Sequence, residues 1–178
     1  QEIPSLAGMK WAEDFGDRAF TRTHVSDYNG TDWERDILWM KGSCLIVVDT
    51  VALKREADYD VRCLWRTLGG VELNDEGLRV QQEGVFFRIC NADDSVKTLE
   101  TEHSRIADQP AYGAYPHADD PIRILKQRKE LHGKPGEVVR YFNLMVAGEA
   151  SDVDLWRIQR ISEDAVRVTA PDGPFVFG

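Results

Sequence analysis

Residues 33–48 read WERDILWMKGSCLIVV and predict two β-strands joined by a tight turn. The glycine and serine at positions 42 and 43 favour the turn. After the turn, residues 44–48 are apolar without a break, which is typical of a strand covered on both of its faces. Before the stretch, Asn29-Gly30 marks another hairpin turn. Together these features indicate antiparallel strands in the interior of a sheet.

The same pattern extends outward over almost the whole chain. Apolar and polar residues alternate with a period of two, and turn-forming residues separate the runs. Residues 54–57 are predicted to close a hairpin between the strands at 44–48 and 59–66, and Cys63 would then face Val48. Three short strands are predicted between residues 69 and 90, and further strands cover residues 19–28, 96–102, 122–132, 138–147, 155–161, 165–169 and 175–177.

These strands predict an all-β fold with little helix. Only residues 5–15 have a spacing that suits a short helix. Many strands with frequent turns favour an antiparallel β-sandwich of two large curved sheets. Since no low-complexity linker interrupts the pattern, residues 1–178 are predicted to form a single domain.

Composition excludes two classes of partner. The formal net charge is −9 and the pI is near 4.9, whereas binding to nucleic acid needs concentrated positive charge. No apolar run approaches the ~20 residues of a membrane-spanning helix. Because the first residues contain neither Met nor a signal peptide, we expect the chain to be a piece of a longer multidomain protein.

The cysteines give no sign of a cofactor or a metal. Cys44, Cys63 and Cys90 each lie in an apolar or alternating run, and none belongs to a C-x-x-C pair. They are interpreted as small buried hydrophobic residues. No cofactor is identifiable, and no metal site is predicted.

One part of the chain resembles a known family. Residues 27–30, 33–42 and 45–51, followed by Tyr59 and residues 64–65, are similar to the later part of the C-terminal β-sandwich domain of the heparinase II/III-like polysaccharide lyases. The shared pattern is an Arg opening a strand, a short turn, an aliphatic strand ending in Asp, and a strand with Tyr and Trp. In that family the sandwich follows an α/α toroid, so the resemblance implies an upstream toroid as a partner within the same chain.

The resemblance also implies an activity for the parent protein. Such lyases cleave uronic-acid glycans by β-elimination, with a Tyr and other groups of the toroid and with histidines of an H-x-H-like strand of the sandwich. No two histidines here lie one residue apart, so no catalytic residue is assigned and the fragment alone is predicted to be inactive. Periplasmic or secreted localisation is likewise implied only by the resemblance.

A cluster of positive charge suggests contact with an anionic polysaccharide. The strand at 122–132 carries Arg123, Lys126, Arg128 and Lys129, and alternation places Arg123 and Lys129 on one face and Lys126 on the other. Arg and Lys pair well with uronates. We therefore predict Arg123, Lys126 and Lys129 as ligand-binding residues, with an ordinary edge strand protected by lysines as the alternative.

A loop at 108–121 offers aromatic side chains. Tyr112 and Tyr115 are predicted to line a glycan cleft, because sugar rings stack on aromatic faces and long loops often carry binding residues. The alternative is that both tyrosines fold back over the sandwich.

The sequence therefore leaves several functions open. The first is a non-catalytic β-sandwich portion of a heparinase II/III-like lyase, which braces the toroid and lines its cleft. The others are a carbohydrate-binding module without catalytic activity and an accessory domain of a glycoside hydrolase.

Overall fold

The computed structural model describes residues 7–102 and 121–178, which fold almost entirely as antiparallel strands. The predicted all-β sandwich with little helix is confirmed. No helix among these residues has the length and apolar character needed to cross a membrane. The elements are β1 (Ala7–Asp14), β2 (Arg18–Tyr28), β3 (Thr31–Met40), β4 (Cys44–Leu53), β5 (Ala57–Thr67), β6 (Gly70–Asn74), β7 (Gly77–Gln82), β8 (Val85–Asn91), β9 (Val96–Glu102), β10 (Ile122–Gly133), β11 (Val138–Gly148), α1 (Ala150–Val153), β12 (Arg157–Arg160), β13 (Val166–Ala170) and β14 (Gly173–Phe177).

Within the described residues the strands form three sheets. The central sheet has eight strands in the order β1-β2-β3-β4-β11-β8-β7-β6. The outer sheet has the order β5-β10-β9, and the C-terminal sheet has the order β12-β13-β14.

The central sheet packs against both smaller sheets, and β4 shows how. Successive side chains of a strand point to opposite faces. Ile46 is fully buried in a cluster with Val166 of the C-terminal sheet. Its neighbour Val47 lies in a second cluster with Leu125 of β10. Both faces of β4 are therefore covered, as its unbroken apolar run predicted.

The connection after β4 differs from the prediction. The expected hairpin with residues 59–66 is wrong, because β4 pairs on one side with β3 and on the other with β11. With both edges of β4 occupied, the chain crosses to the outer sheet, where β5 pairs with β10. Cys63 consequently lies against Asp49 rather than Val48, with its Sγ 3.5 Å from the Asp49 Oδ2. The three cysteines are free and buried.

The start of the described chain also differs from the prediction. The helix expected at residues 5–15 is wrong for the described part, because Ala7–Asp14 is strand β1. It pairs antiparallel with β2, with a bulge between Met9 and Trp11. Trp11 packs on Phe20 of β2 across a centroid distance of 5.0 Å. Pairing to a neighbouring strand thus overrides the local spacing.

A glycine permits the tight approach of β7 to β8. Gly77 has a φ of +140°, a region that side chains rarely adopt. A Cβ at this position would lie 1.9 Å from the carbonyl oxygen of Ile89. Only glycine fits at this point of the strand pair.

Candidate functional site

A groove crosses the face of the central sheet that the C-terminal sheet covers only in part. Its volume is about 730 Å³, within the range of small-molecule sites. We call it the aromatic groove. Its lining includes Trp11, Phe20, Arg22, Asp36, Phe175 and Phe177.

Strand register brings the polar and aromatic side chains of the groove together. Trp11 of β1 stands opposite Arg22 of β2, which stands opposite Asp36 of β3. Asp36 in turn is opposite Val48 of β4. Directly opposed residues share one face of the sheet, so the four side chains form a row across the strands.

Trp11 and Phe20 supply an exposed aromatic surface. Their rings meet at an interplanar angle of 56°, and 49% of Trp11 remains exposed. The guanidinium carbon of Arg22 lies 5.8 Å from the centroid of the Phe20 ring. Aromatic rings that stay exposed beside polar groups suit ligands with one apolar and one hydrogen-bonding side.

Arg22 is held in place by carboxylates on β3. Its Nε and Nη2 each donate a 2.6 Å hydrogen bond to Asp36, and its Nε lies 3.3 Å from Glu34. The hydrogen bonds to Asp36 raise the pKa of Arg22 against the opposing effect of burial. Because this bidentate pair uses only some of the guanidinium donors, others remain for a ligand hydroxyl or carboxylate.

The predicted ligand-binding residues of β10 do not form one patch. Lys126 points to the outer face and pairs with Glu100. Arg123 donates a 2.6 Å hydrogen bond to Thr101. Lys129 lies on the opposite face from Lys126, as the alternation predicted.

Lys129 is more enclosed than Lys126. Its Nζ lies 2.5 Å from Asp94 Oδ1 and donates a 3.2 Å hydrogen bond to the carbonyl of Arg140. It also lies 5.4 Å from the Tyr141 ring. Only 17% of its side chain is exposed.

The outer face of β10 carries paired charges. Arg128 donates hydrogen bonds of 2.8 and 2.9 Å to Asp60 on β5 and one of 2.6 Å to Glu130. Hydrogen bonds from Arg128 and then Arg62 hold the pKa of Asp60 well below its ordinary value. Tyr112 and Tyr115 lie outside the described residues, so their role as glycan contacts stays a prediction.

The residues that carry the family resemblance meet inside the fold. Arg35 makes a bidentate pair with Asp49 at 2.7 and 2.9 Å, and Trp33 Nε1 donates to the same carboxylate. The guanidinium of Arg35 also lies 5.2 Å from the Trp65 ring. We call Trp33, Arg35, Asp49, Cys63 and Trp65 the Asp49 cluster. It joins β3 and β4 to β5, so this pattern is structural.

The Asp49 cluster also explains two electrostatic effects. Burial lowers the pKa of Arg35, but the hydrogen bonds and charge of Asp49 outweigh this and raise it. Burial, followed by the charge of Asp49, raises the pKa of Cys63 far above that of a free thiol. Asp49 stands within β4, where the side chains of Trp33 and Arg35 donate hydrogen bonds to its carboxylate.

The described histidines are engaged at separate places. His24 shares a 2.6 Å hydrogen bond with Ser26. His132 lies 2.8 Å from Asp58 and 3.4 Å from Glu56. Within residues 7–102 and 121–178, no group of three His, Cys, Asp or Glu side chains could hold a metal ion.

The aromatic groove was not predicted from the sequence, because residues 5–15, which include Trp11, were expected to form a helix rather than strand β1. Arg22 and Asp36 are 14 positions apart, so their pairing depends on the register of β2 against β3. One signal was available in the sequence. Phe20 and Arg22 are two positions apart in a predicted strand, which indicates that they share one face of β2. Nothing in the sequence indicated that β14 would contribute Phe175 and Phe177.

Comparison with solved structures clarifies the fold. No family model matches the chain, and no curated protein matches it. Heparan sulfate lyase HepC from Pedobacter heparinus superposes with a TM-score of 0.68 at 12% identity, over 96% of this chain and 27% of that chain. The chain therefore has a fold that is also found in heparan sulfate lyase HepC.

Two further heparinase structures superpose on this chain over the same share of its length. One heparinase III superposes with a TM-score of 0.66 at 11% identity and another with 0.63 at 15%, each over 96% of this chain and 27% of theirs. The resemblance drawn from residues 27–65 is thus confirmed at the level of the heparinase fold. The chain spans about a quarter of the length of these lyases.

Proposed function

We propose that this chain is the non-catalytic β-sandwich portion of a heparinase II/III-like polysaccharide lyase. The observation that carries the proposal is the superposition of 96% of the chain on 27% of heparan sulfate lyase HepC. The parent protein would act on uronic-acid glycans by β-elimination, in the periplasm or after secretion. In it, the sandwich braces an upstream α/α toroid and lines the polysaccharide cleft.

The hydrogen bonds that Tyr141 and the two described histidines already make support a non-catalytic role. β-Elimination needs a base beside the acidic carbon and groups that stabilise the developing charge. The hydroxyl of Tyr141 instead donates a 2.7 Å hydrogen bond to the carbonyl of Val61, and burial raises its pKa far above the ordinary value. His24 and His132 lie apart and have surface partners of their own.

The test is a lyase assay of the 178-residue chain. We expect no unsaturated uronate when the chain is incubated with heparan sulfate or with alginate. A longer protein that also contains the toroid should release the product from one of these polymers. Product from the chain alone would contradict the non-catalytic role, and none from the longer protein would contradict the lyase assignment.

The aromatic groove favours a second candidate, a carbohydrate-binding module. Exposed aromatic rings beside a fixed guanidinium and carboxylates suit the C–H faces and hydroxyls of sugars. Affinity electrophoresis in glycan-containing gels tests this candidate, with Trp11→Ala predicted to weaken retention because Trp11 lines the groove. Retention on none of the glycans would exclude it.

A further inference from the structure

A second cavity lies beside the aromatic groove and has a different character. Its volume is about 420 Å³, and four cationic side chains line it together with two carboxylates. We call it the basic pocket. Its charged lining consists of Arg128, Lys129, Arg140 and Arg160 with Asp94 and Glu130.

The basic pocket forms where one edge of β11 has no partner among the strands that the structure describes. The pairing of β11 with β8 begins only at Asn143, opposite Asn91, and Ala92 adds one further hydrogen bond to the Phe142 carbonyl. Closer to its start, β11 pairs with β4 alone among the described strands. The Arg140 carbonyl in this region accepts a hydrogen bond from Lys129.

Arg140 lines both cavities and therefore connects them. Register places it opposite Thr50 of β4, and Thr50 stands opposite Glu34 of β3. The groove thus extends over the strands from β1 to β11. Four strand spacings correspond to ~19 Å, long enough for an extended oligomer rather than a single sugar.

Two guanidinium groups at this junction lack a carboxylate ion-pair partner within residues 7–102 and 121–178. Arg140 makes no side-chain hydrogen bond or ion pair within 4 Å there, although its charge contributes, after the hydrogen bond from Ser162, to the lowered pKa of Asp164. Arg160 donates hydrogen bonds to the carbonyl oxygens of Ser162 and Glu163, at 2.8 and 3.3 Å, and its guanidinium carbon lies 5.6 Å from the centroid of the Phe142 ring. The Asp164 carboxylate, which also lines the groove, accepts a 2.8 Å hydrogen bond from the Ser162 hydroxyl.

The other two cations of the pocket already have acidic partners. Lys129 pairs with Asp94, and Arg128 pairs with Asp60 and Glu130. A ligand anion would consequently meet Arg140 and Arg160 first. A guanidinium fork matches the geometry of carboxylate and of sulfate oxygens.

We infer that the aromatic groove and the basic pocket form one binding track for an oligosaccharide that carries carboxylate or sulfate groups. Sugar rings stack on Trp11 and Phe20, hydroxyls meet Arg22 and Asp36, and Arg140 binds an anionic substituent at the junction. This assignment rests on the glycan ligand of the proposed function. It adds a surface on this chain that binds the oligosaccharide and does not cleave it.

Isothermal titration calorimetry on the full 178-residue chain tests the track. The probes are an alginate oligosaccharide with carboxylates only, a heparan sulfate oligosaccharide with both anions, and a cello-oligosaccharide of equal length with neither. We expect at least one acidic probe to bind about tenfold or more tightly than the neutral one, as charge-assisted hydrogen bonds require. The comparison of alginate with heparan sulfate tells whether carboxylate suffices or sulfate is needed.

Matched variants locate the site. Arg140→Gln should weaken binding of the acidic probe about tenfold, and Arg160→Gln should weaken it in the same direction. Trp11→Ala should weaken all binding because the stacking surface is lost. Arg167→Gln is the control, since Arg167 is exposed on β13 and lines neither cavity.

Unchanged thermal unfolding shows that each variant still folds. If Arg140→Gln binds the acidic probe as Arg167→Gln does, the assignment of Arg140 is wrong. Equal affinity for acidic and neutral probes, or no binding of any probe, overturns the track. Neither result depends on the lyase assay, which follows unsaturated uronate, so the two proposals fail separately.

Discussion

The indole Nε1 of Trp33 donates a 2.8 Å hydrogen bond to Oδ1 of Asp49, a side chain without solvent exposure. The same oxygen accepts a 2.7 Å hydrogen bond from Arg35. A buried carboxylate is tolerated only when such donors replace its lost hydration. The hydrogen bond between Trp33 and Asp49 therefore links β3 to β4 through a buried carboxylate that requires hydrogen-bond donors.

Replacing Asp49 should destabilise the protein. Asp49→Asn removes the charge that Arg35 faces, and we expect the free energy of unfolding to fall by about 2 kcal/mol. The loss is smaller than for a fully buried pair because 36% of the Arg35 side chain is exposed. Urea denaturation measures it. Asp17→Asn, which removes an exposed 3.8 Å ion pair with Arg18, is the control and should cost less than about 0.5 kcal/mol.

Replacing Gly77 should weaken the pairing of β7 with β8. In Gly77→Ala the new methyl group meets the Ile89 carbonyl, and the positive φ adds strain, so we expect a loss of about 2 kcal/mol. Gly8→Ala is the matched control, because nothing lies within 4 Å of the added carbon. Equal midpoints for the two variants in urea would contradict the close approach.

His132 should make stability depend on pH. Its hydrogen bond to Asp58, and then that to Glu56, raises the pKa of His132 above its ordinary value of 6.5. A raised pKa in the folded state stabilises the fold below the unfolded pKa, and this contribution is lost as the pH rises through the folded pKa. NMR titration should find a pKa above 6.5 in the wild-type protein. It should fall in Asp58→Asn, whereas an unchanged value would contradict the assigned cause.

The cysteines should be unreactive in the native state. Burial raises the pKa of Cys44 to about 11 and also raises those of Cys63 and Cys90. The thiolate is the reactive form, so few thiols can attack a disulfide reagent near pH 8. We expect labelling to follow unfolding, with all three thiols modified in urea. Rapid modification without denaturant would show that at least one site is more open than the structure indicates.

Strand positions could be predicted from the sequence, but several strand partners could not. The bounds of β9 (Val96–Glu102) match the prediction residue for residue, because alternation and turn residues are local signals. The partner of β5 is β10, more than fifty positions later in the chain. Alternation reports which face of a strand is apolar, but it does not identify the neighbouring strand.

The arrangement of the candidate site depends on strand pairings that the sequence does not indicate. Lys129 was recognised by its charge, whereas its contact with the Arg140 carbonyl depends on how β10 packs over β11. Trp11 was assigned to a helical stretch, and only its pairing to β2 places it in the aromatic groove. Local sequence thus identified residue chemistry, and long-range pairing decided which residues meet.

Because the Asp49 cluster spans two sheets, the outer sheet cannot separate from the central sheet without breaking the contacts around Asp49. Opening between Asp49 and Cys63 would expose the carboxylate and its arginine together. Backbone amides of β5 that face Lys126 and Arg128 should therefore exchange with deuterium only through global unfolding, at the same slow rate as those of β4.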